Sequence, residues 1–393
     1  QVRITAQLIK VDDGFHLWSE TFDRKLENIF DVQEEIATAI ADALVGKLGA
    51  TVVTVPNQTR NMAAYDTYLK GRVALRDRKP EAVTLLEQAT AADPNFAPAW
   101  AALAIAYQSI LESYQQGIDA ARKALALDPN NVDALNAMGA AMRQHRRWLE
   151  AEEQFDRALA ADPNSAELLE DYAEFLLLVG RTQDALAITT RGMDIDSRLV
   201  PLALAHTDAL ATNGQAGEAR QLAQELAETD PTITLFLLPI MLNPALQPSD
   251  VATMAPIENA DDGLSWTADM VDHVNRVIEG SSDVESIDAL KSHYEPANIQ
   301  SVTSDLAYYR ILPARIALVL AKELDYVIEQ DIWWAKQLDL FPHELNWTPL
   351  FAELRAHPRF GEYLEAAGIV AYWDATEWTD WCRRSADNRV ICK

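Results

Sequence analysis

Apolar residues in the middle of the chain recur three and four positions apart, the spacing of helices that bury one face. Leu135, Met138 and Met142, with Gly139 beside them, mark one such face, and Ala151, Phe155 and Ala158 mark a second after a short turn. The unit then repeats. Asp-Pro pairs stand at Asp93-Pro94, Asp128-Pro129, Asp162-Pro163 and Asp230-Pro231, at spacings of 35, 34 and 68 residues: a 34-residue period with one insertion and one degenerate copy. Each pair predicts a helix end, because the residue before proline is pushed out of the α region and proline suits the first turn of a following helix.

The other copies keep the same frame. One has Trp100, Leu103, Ala104, Tyr107 and Ala124; the next after Pro163 has Leu169, Tyr172, Ala173, Leu176 and Ala185, with Gly192 and Ser197 in place of Ala and Pro. A copy from about Val200 keeps Ala219, Ala223 and Pro231, and the first, from Tyr65, keeps Leu69, Ala82, Leu86 and Ala89 with a short turn near Lys79-Pro80. Gly139 or Ala104 lets the paired helix approach, and Ala158 or Ala124 lets the next unit stack. From about Ala63 to Pro231 this pattern resembles the tetratricopeptide (TPR) repeat family. The resemblance implies a mainly α fold, a right-handed superhelix of antiparallel helix pairs, whose work is to bind another polypeptide.

The first sixty residues follow a different period. Val2, Ile4, Ala6 and Leu8 alternate with polar residues, Asp12-Asp13-Gly14 supplies turn chemistry, and Phe15, Leu17 and residues 19–22 resume an extended pattern, which predicts a β-hairpin. Asp31 then reads as an N-cap with Glu34 as its capping-box partner, and Val32, Ile36, Ile40 and Leu44 as one helix face. Together these segments resemble the closing half of a TolB-like amino-terminal domain, which in bacteria commonly stands directly before TPR arrays. The rest of that domain would lie upstream, so the chain reads as a fragment: a partial α/β segment over 1–60, the array over 61–232, and degenerate helical repeats with a Trp-rich cap over 233–393.

In that last part Pro239, Pro244, Pro248 and Pro256 punctuate loops, Ser282 and Glu285 predict a boxed helix start, and Ala307 to Val327 with Glu329 to Leu338 predicts a helical pair. Trp333, Trp334, Trp347, Trp373, Trp378 and Trp381 gather towards the end. Pro349-Leu350-Phe351, Leu354-Arg355, Pro358-Arg359-Phe360, Ala371-Tyr372-Trp373 and Trp381-Cys382 are similar to the ending of the same TolB-like and TPR proteins. Their expected role is to cover the apolar face that a last repeat exposes.

Charge narrows the partners. With 33 Lys and Arg against 60 Asp and Glu, the formal net charge is −27. Such a surface repels phosphate backbones, which excludes direct nucleic-acid binding by this segment. No apolar run approaches the roughly 20 residues of a membrane span, so membrane attachment is expected only through an upstream span. Seven dispersed histidines make no metal motif, no phosphate loop or nucleophile elbow is present, and Asp261-Asp262-Gly263 reads as a turn. The chain is therefore expected to be no enzyme and to need no cofactor or metal. Cys382 and Cys392 read either as a disulfide closing a short loop or as two reduced thiols; the disulfide implies an oxidising compartment such as the bacterial periplasm.

What remains is the groove that the first helix of each TPR unit lines. Its exposed positions are Asn136, Arg143, Gln144, Glu167, Glu170, Glu174 and Asp208. TPR proteins that clamp a terminal carboxylate use Lys, Arg and Asn there, whereas this chain supplies mostly acids, which favours a basic or neutral protein or peptide partner. The resemblance implies an interaction or sensory module of a bacterial signalling or transcription-regulatory protein. In such proteins the array often lies outside the membrane, behind a single span that leads to a winged-helix domain or a nucleotide cyclase. That places the module on the periplasmic side of the inner membrane. A stand-alone scaffold or assembly factor, periplasmic or cytoplasmic, is the alternative.

Overall fold

The computed structural model describes residues 2–10, 15–24, 29–48, 59–229, 268–278, 280, 283–294, 314–337 and 344–393. Strands β1 (Val2–Ile9) and β2 (His16–Arg24) pair antiparallel, Thr5 opposite Thr21, with a bulge between Leu8 and Ile9. The expected turn at 12–14 lies outside the described residues. Helix α1 (Ile29–Leu48) follows, and Phe22 and Val32 are buried. The helix begins two residues before Asp31, so that residue is not the N-cap.

Ten helices between Met62 and Thr229 make five helix pairs of a TPR solenoid. They are α2 (Met62–Arg76) with α3 (Glu81–Ala92), α4 (Ala97–Leu111) with α5 (Tyr114–Leu127), and α6 (Val132–Gln144) with α7 (Trp148–Ala161). Then come α8 (Ala166–Leu178) with α9 (Thr182–Ile195), and α10 (Val200–Thr212) with α11 (Ala216–Thr229). Close approach sets the pairing. A methyl group on Gly139 would meet the Phe155 ring at 2.8 Å, and one on Gly192 would meet Leu202 at 2.9 Å. Gly192 is thus no decay of the pattern, because it lets α10 stack on α9. In the first pair Leu69 is exposed, and Gly71, against Leu86 at 2.8 Å, takes the position of Gly139.

The Asp of each Asp-Pro pair does more than precede a proline. Asp93, Asp128 and Asp162 end their helices in extended backbone, and each carboxylate accepts from the N–H two residues on, of Asn95, Asn130 and Asn164 at 3.0, 3.2 and 2.9 Å. These Asx turns fix the exit of the chain. Asp196 does the same towards Arg198 at 3.0 Å, although Ser197 replaces proline. The degenerate copy keeps its turn through the aspartate. Asp230-Pro231 lies outside the described residues.

Beyond the array, α12 (Ala268–Ile278) and α13 (Val284–Tyr294) pack together. The cap of α13 is Asp283, whose Oδ1 accepts from Ser286 N at 2.8 Å, rather than Ser282. Residues 314–320 form a helix, α14, separated from α15 (Leu324–Gln337) by a break at Lys322, where φ is +66°. The expected helical pair therefore divides earlier than the sequence indicated. A run of short helices between Glu344 and Ala375 leads to strands β3 (Cys382–Arg384) and β4 (Val390–Cys392). Pro239 to Pro256 and Asp261-Asp262-Gly263 lie outside the described residues.

The described contacts of the Trp-rich ending run to the turns between the paired helices of the array, along its edge, where sequence suggested a lid on the last repeat. Trp373 Nε1 donates to Val179 O at 2.8 Å, Trp148 Nε1 to Ala367 O at 3.1 Å, and Trp381 Nε1 to Thr182 Oγ1 at 3.3 Å. Arg146 donates to Ala335 O at 2.5 Å and to Ala366 O at 3.2 Å. Gly180, at φ +78°, faces Trp347 so closely that a methyl group would sit 2.9 Å from the indole. One apolar core runs from Val83 in α3 through these turns to Val390 in β4. Inside the ending, the buried Arg315 makes a two-pronged ion pair with Asp331 and donates to Asn346 Oδ1 at 2.7 Å, which ties α14, α15 and the segment at Asn346 together.

Candidate functional site

The first helices of the pairs, α2, α4, α6 and α8, carry the polar side chains of the inner face. Their 3.6-residue period puts Tyr68 and Arg72 on one stripe of α2, Asp133, Asn136 and Arg143 on α6, and Glu167, Glu170, Asp171 and Glu174 on α8. The curvature of the array is enough for Arg72 to reach past α4. Its guanidinium donates to Asp133 Oδ2 of the third pair at 3.2 Å and to Tyr68 OH at 3.2 Å. Gln108 on α4 is buried and donates to Ala137 O at 3.0 Å, which joins α4 to α6 beneath the stripe.

One turn further along, Arg143 bonds Glu174 and lies 3.9 Å from Asp171, while Asn136 Nδ2 donates to Asp171 Oδ2 at 2.6 Å. Carboxylate oxygens of Glu170, Asp171 and Glu174 lie within 4.8 Å of one another. Five carboxylates, Asp133, Glu167, Glu170, Asp171 and Glu174, thus share this stripe with the guanidinium groups of Arg72 and Arg143.

Burial, more than this count, sets their proton affinities. Burial, with Asp171 and Glu174 alongside, holds Glu170 well above the usual carboxylate range. Burial also lifts Asp171 to about 6, Arg143 and Asn136 opposing the rise and Glu174 adding to it. Asp133 is raised by burial too, although Arg72 pulls the other way. For Arg143, burial works against the charge, and Glu174 and Asp171 outweigh it. By number, the carboxylates of the stripe exceed the two guanidinium groups.

Of the residues expected from sequence, Asn136, Arg143, Glu170 and Glu174 come together in one cluster, with Glu167 exposed on the same helix. Gln144 is the last residue of α6, and Asp208 lies one pair further on, half-buried on α10. Sequence reasoning missed Asp171, Arg72 and Asp133. Asp171 stands one place after an expected position, and the run Glu170-Asp171-x-x-Glu174 was its available signal. Arg72 and Asp133 needed the curvature. At the other end of the molecule Cys382 and Cys392 are bonded across β3 and β4, where Cys382 is buried. Among the described residues no helix is long and apolar enough to cross a membrane.

No family model matches the chain. Over 168 residues it is 32% identical to a putative adenylate cyclase 3 of Rhizobium meliloti (strain 1021), a match that takes in 39% of this chain and 28% of that protein. Among solved structures it is similar to PilF of Pseudomonas aeruginosa, at 23% identity and a TM-score of 0.38 over 46% of this chain and 82% of that one. It is also similar to PilW, a type IV pilus biogenesis factor, at 18% identity and a TM-score of 0.37 over 62% of this chain and all of that one.

Proposed function

We propose that the inner face of the array binds a segment of another protein that carries basic residues, and that the chain is an interaction or sensory module of a larger bacterial signalling protein. The observation that carries the first part is the excess of carboxylates over guanidinium groups on α6 and α8, where burial first and neighbouring carboxylates second raise Glu170 and Asp171. A cationic segment laid along that stripe supplies the missing charge and gains attraction that a neutral or acidic one does not. The partial likeness to a putative adenylate cyclase supports attachment to an output domain. A partial TolB-like segment before the array is part of the same reading. The alternative is a stand-alone scaffold or assembly factor. The Cys382–Cys392 bond supports an oxidising compartment, of which the periplasm is one.

The test uses the full chain and fluorescently labelled peptide pools of equal length, one enriched in Lys and Arg and one in Asp and Glu, read by fluorescence polarisation. The basic pool is expected to bind at least tenfold tighter than the acidic one at about 0.15 M salt. Joint Glu167→Lys, Glu170→Lys and Glu174→Lys substitution is expected to abolish that preference. If the preference survives the reversal, binding is to the general surface charge and the groove assignment fails.

A further inference from the structure

We propose that two copies of this chain associate by exchanging helices, α1 of each lying on the first helix pair of the other, across Leu69 and Val73 of α2. The array itself shows what those positions do. With Gly71, Ala104 and Gly139 as equivalent positions, Asp66, Leu69 and Val73 of α2 correspond to Ala99, Ala102 and Ala106 of α4, and to Ala134, Ala137 and Ala141 of α6. Every one of these alanines is buried. The row starts against the second helix of the preceding pair, Ala99 packing with Ala89 of α3 and Ala134 with Ala124 of α5.

On α2 the same row is open among the described residues. Leu69 and Val73 are 44% and 52% exposed, and Met62, two turns before Leu69, is 48% exposed. Leu69 and Val73 line a groove of about 380 Å³ with Ala74 and Leu85, and Lys70 and Lys79 stand beside it. Leucine and valine in place of alanine hold an incoming helix further off unless that helix brings small residues to the contact. Helix α1 has this character. It packs on the hairpin, and Val32 is buried there. A second apolar stripe runs through Ala37, Ile40 and Ala41, a three-and-four spacing that the sequence continues at Leu44 and Leu48. Ala37 and Ile40 of this stripe are exposed.

Charge points the same way. The chain as a whole is acidic, yet residues 60–81 carry six Lys and Arg against three Asp and Glu. Residues 29–48, which form α1, carry four acids against one lysine. An acidic helix is therefore drawn to the first pair and repelled by most of the remaining surface. In the structure the chain's own α1 stays on its hairpin while Leu69 and Val73 remain open, so the matching helix comes from a second copy. The exchange is reciprocal, each copy giving one helix and receiving one, which closes the pair about a two-fold axis. It does not depend on what the inner face binds.

The experiment is sedimentation velocity of the full chain from about 1 to about 100 μM at about 0.15 M salt, where repulsion between the two acidic bodies is screened beyond about 8 Å. A reversible dimer is expected, with a dissociation constant of about 10 μM, the weak end of the range for interfaces of ordinary size. Leu69→Asp with Val73→Asp replaces exposed side chains, so the variant stays folded, and it is expected to weaken the dimer by about tenfold or more. Ile40→Asp, on the other side of the contact, is expected to do the same. Cysteine pairing tests the contact itself. The chain's two cysteines are bonded to each other, so an added thiol reports alone. When Ile40→Cys chains are mixed with Val73→Cys chains under mild oxidant, a covalent dimer holding one of each is expected. Mixing Ile40→Cys with Ile195→Cys, an exposed position on α9, is expected to give far less. A chain that stays monomeric throughout, a dimer that survives Leu69→Asp with Val73→Asp, or equal linking to Ile195→Cys would overturn the exchange. So would a double variant, Ile40→Cys with Val73→Cys, that closes within one chain, because α1 would then cover its own array.

Discussion

Helices α6 to α9 meet aromatic rings along one edge and carboxylates along the inner face, and the two regions obey opposite rules. At the edge Trp373 donates to Val179 O and Trp148 to Ala367 O, and the Trp347 ring fills space that glycine leaves at Gly180. On the inner face the carboxylates outnumber their guanidinium partners, and burial holds Glu170 and Asp171 above the usual carboxylate range. The edge is arranged for stability. The inner face carries a cost to stability, which is the usual mark of a surface kept for a ligand.

That contrast is broken most directly at Trp373, which is 1% exposed. Trp373→Ala removes a large ring from between the fourth pair and the C-terminal ending, together with its bond to Val179 O, so the cost expected is about 3–5 kcal/mol. Urea unfolding of the full chain measures it. A loss below about 1 kcal/mol would mean that the ending only rests on the array, and the contrast between the two regions would collapse.

The next lever is the Cys382–Cys392 bond. It closes a loop with a sequence separation of 10, for which chain entropy gives about 2–3 kcal/mol. The hairpin it closes is wired into the edge. Arg355 donates to Lys393 O at 2.9 Å, its guanidinium lies 4.8 Å from the Trp381 ring, and Val390 packs on Gly361. Burial of Arg355 among backbone carbonyls lowers its proton affinity to about 10. Reduction by a dithiol, or Cys382→Ser with Cys392→Ser, is expected to lower stability by that amount and to change tryptophan fluorescence. Preference for basic peptides should stay the same below the new unfolding midpoint. If the preference falls in step with reduction, edge and inner face are coupled more tightly than the contacts indicate.

The two regions were also unequally legible in the sequence. The helix pairs could be read because each is built from local contacts at a fixed period, and Gly139 against Phe155 is within one unit. The edge could not, because Trp373 meets Val179, 194 residues away, and no local pattern carries that separation. The inner face was half legible. Glu170 and Glu174 follow from helical spacing, but the reach of Arg72 to Asp133 across 61 residues depends on the curvature that stacked pairs accumulate. The misplaced start of α13 has a local cause: Asp283, the next residue after Ser282, supplies an oxygen that caps the helix equally well.

The smallest effect is the most direct measure of the inner face. Glu170→Gln removes one of three neighbouring carboxylates without changing the shape of the side chain. The folded protein binds the protons of Glu170 and Asp171 more tightly than the unfolded chain does, so folding takes up protons here. Stability from these groups is therefore fullest below the ordinary carboxylate range and is lost as pH rises from about 4 towards and beyond about 6. Glu170→Gln is expected to raise stability at pH 7 by roughly 0.5 kcal/mol, the scale of a like-charge pair one helical turn apart. At pH 4 it should change little, so the difference between variant and parent should grow with pH. Urea midpoints at pH 4, 5, 6 and 7 measure that slope. A variant that is less stable than its parent at pH 7 would show that Glu170 is held by attraction to its neighbours, and the inner face would then belong with the edge as a structural surface.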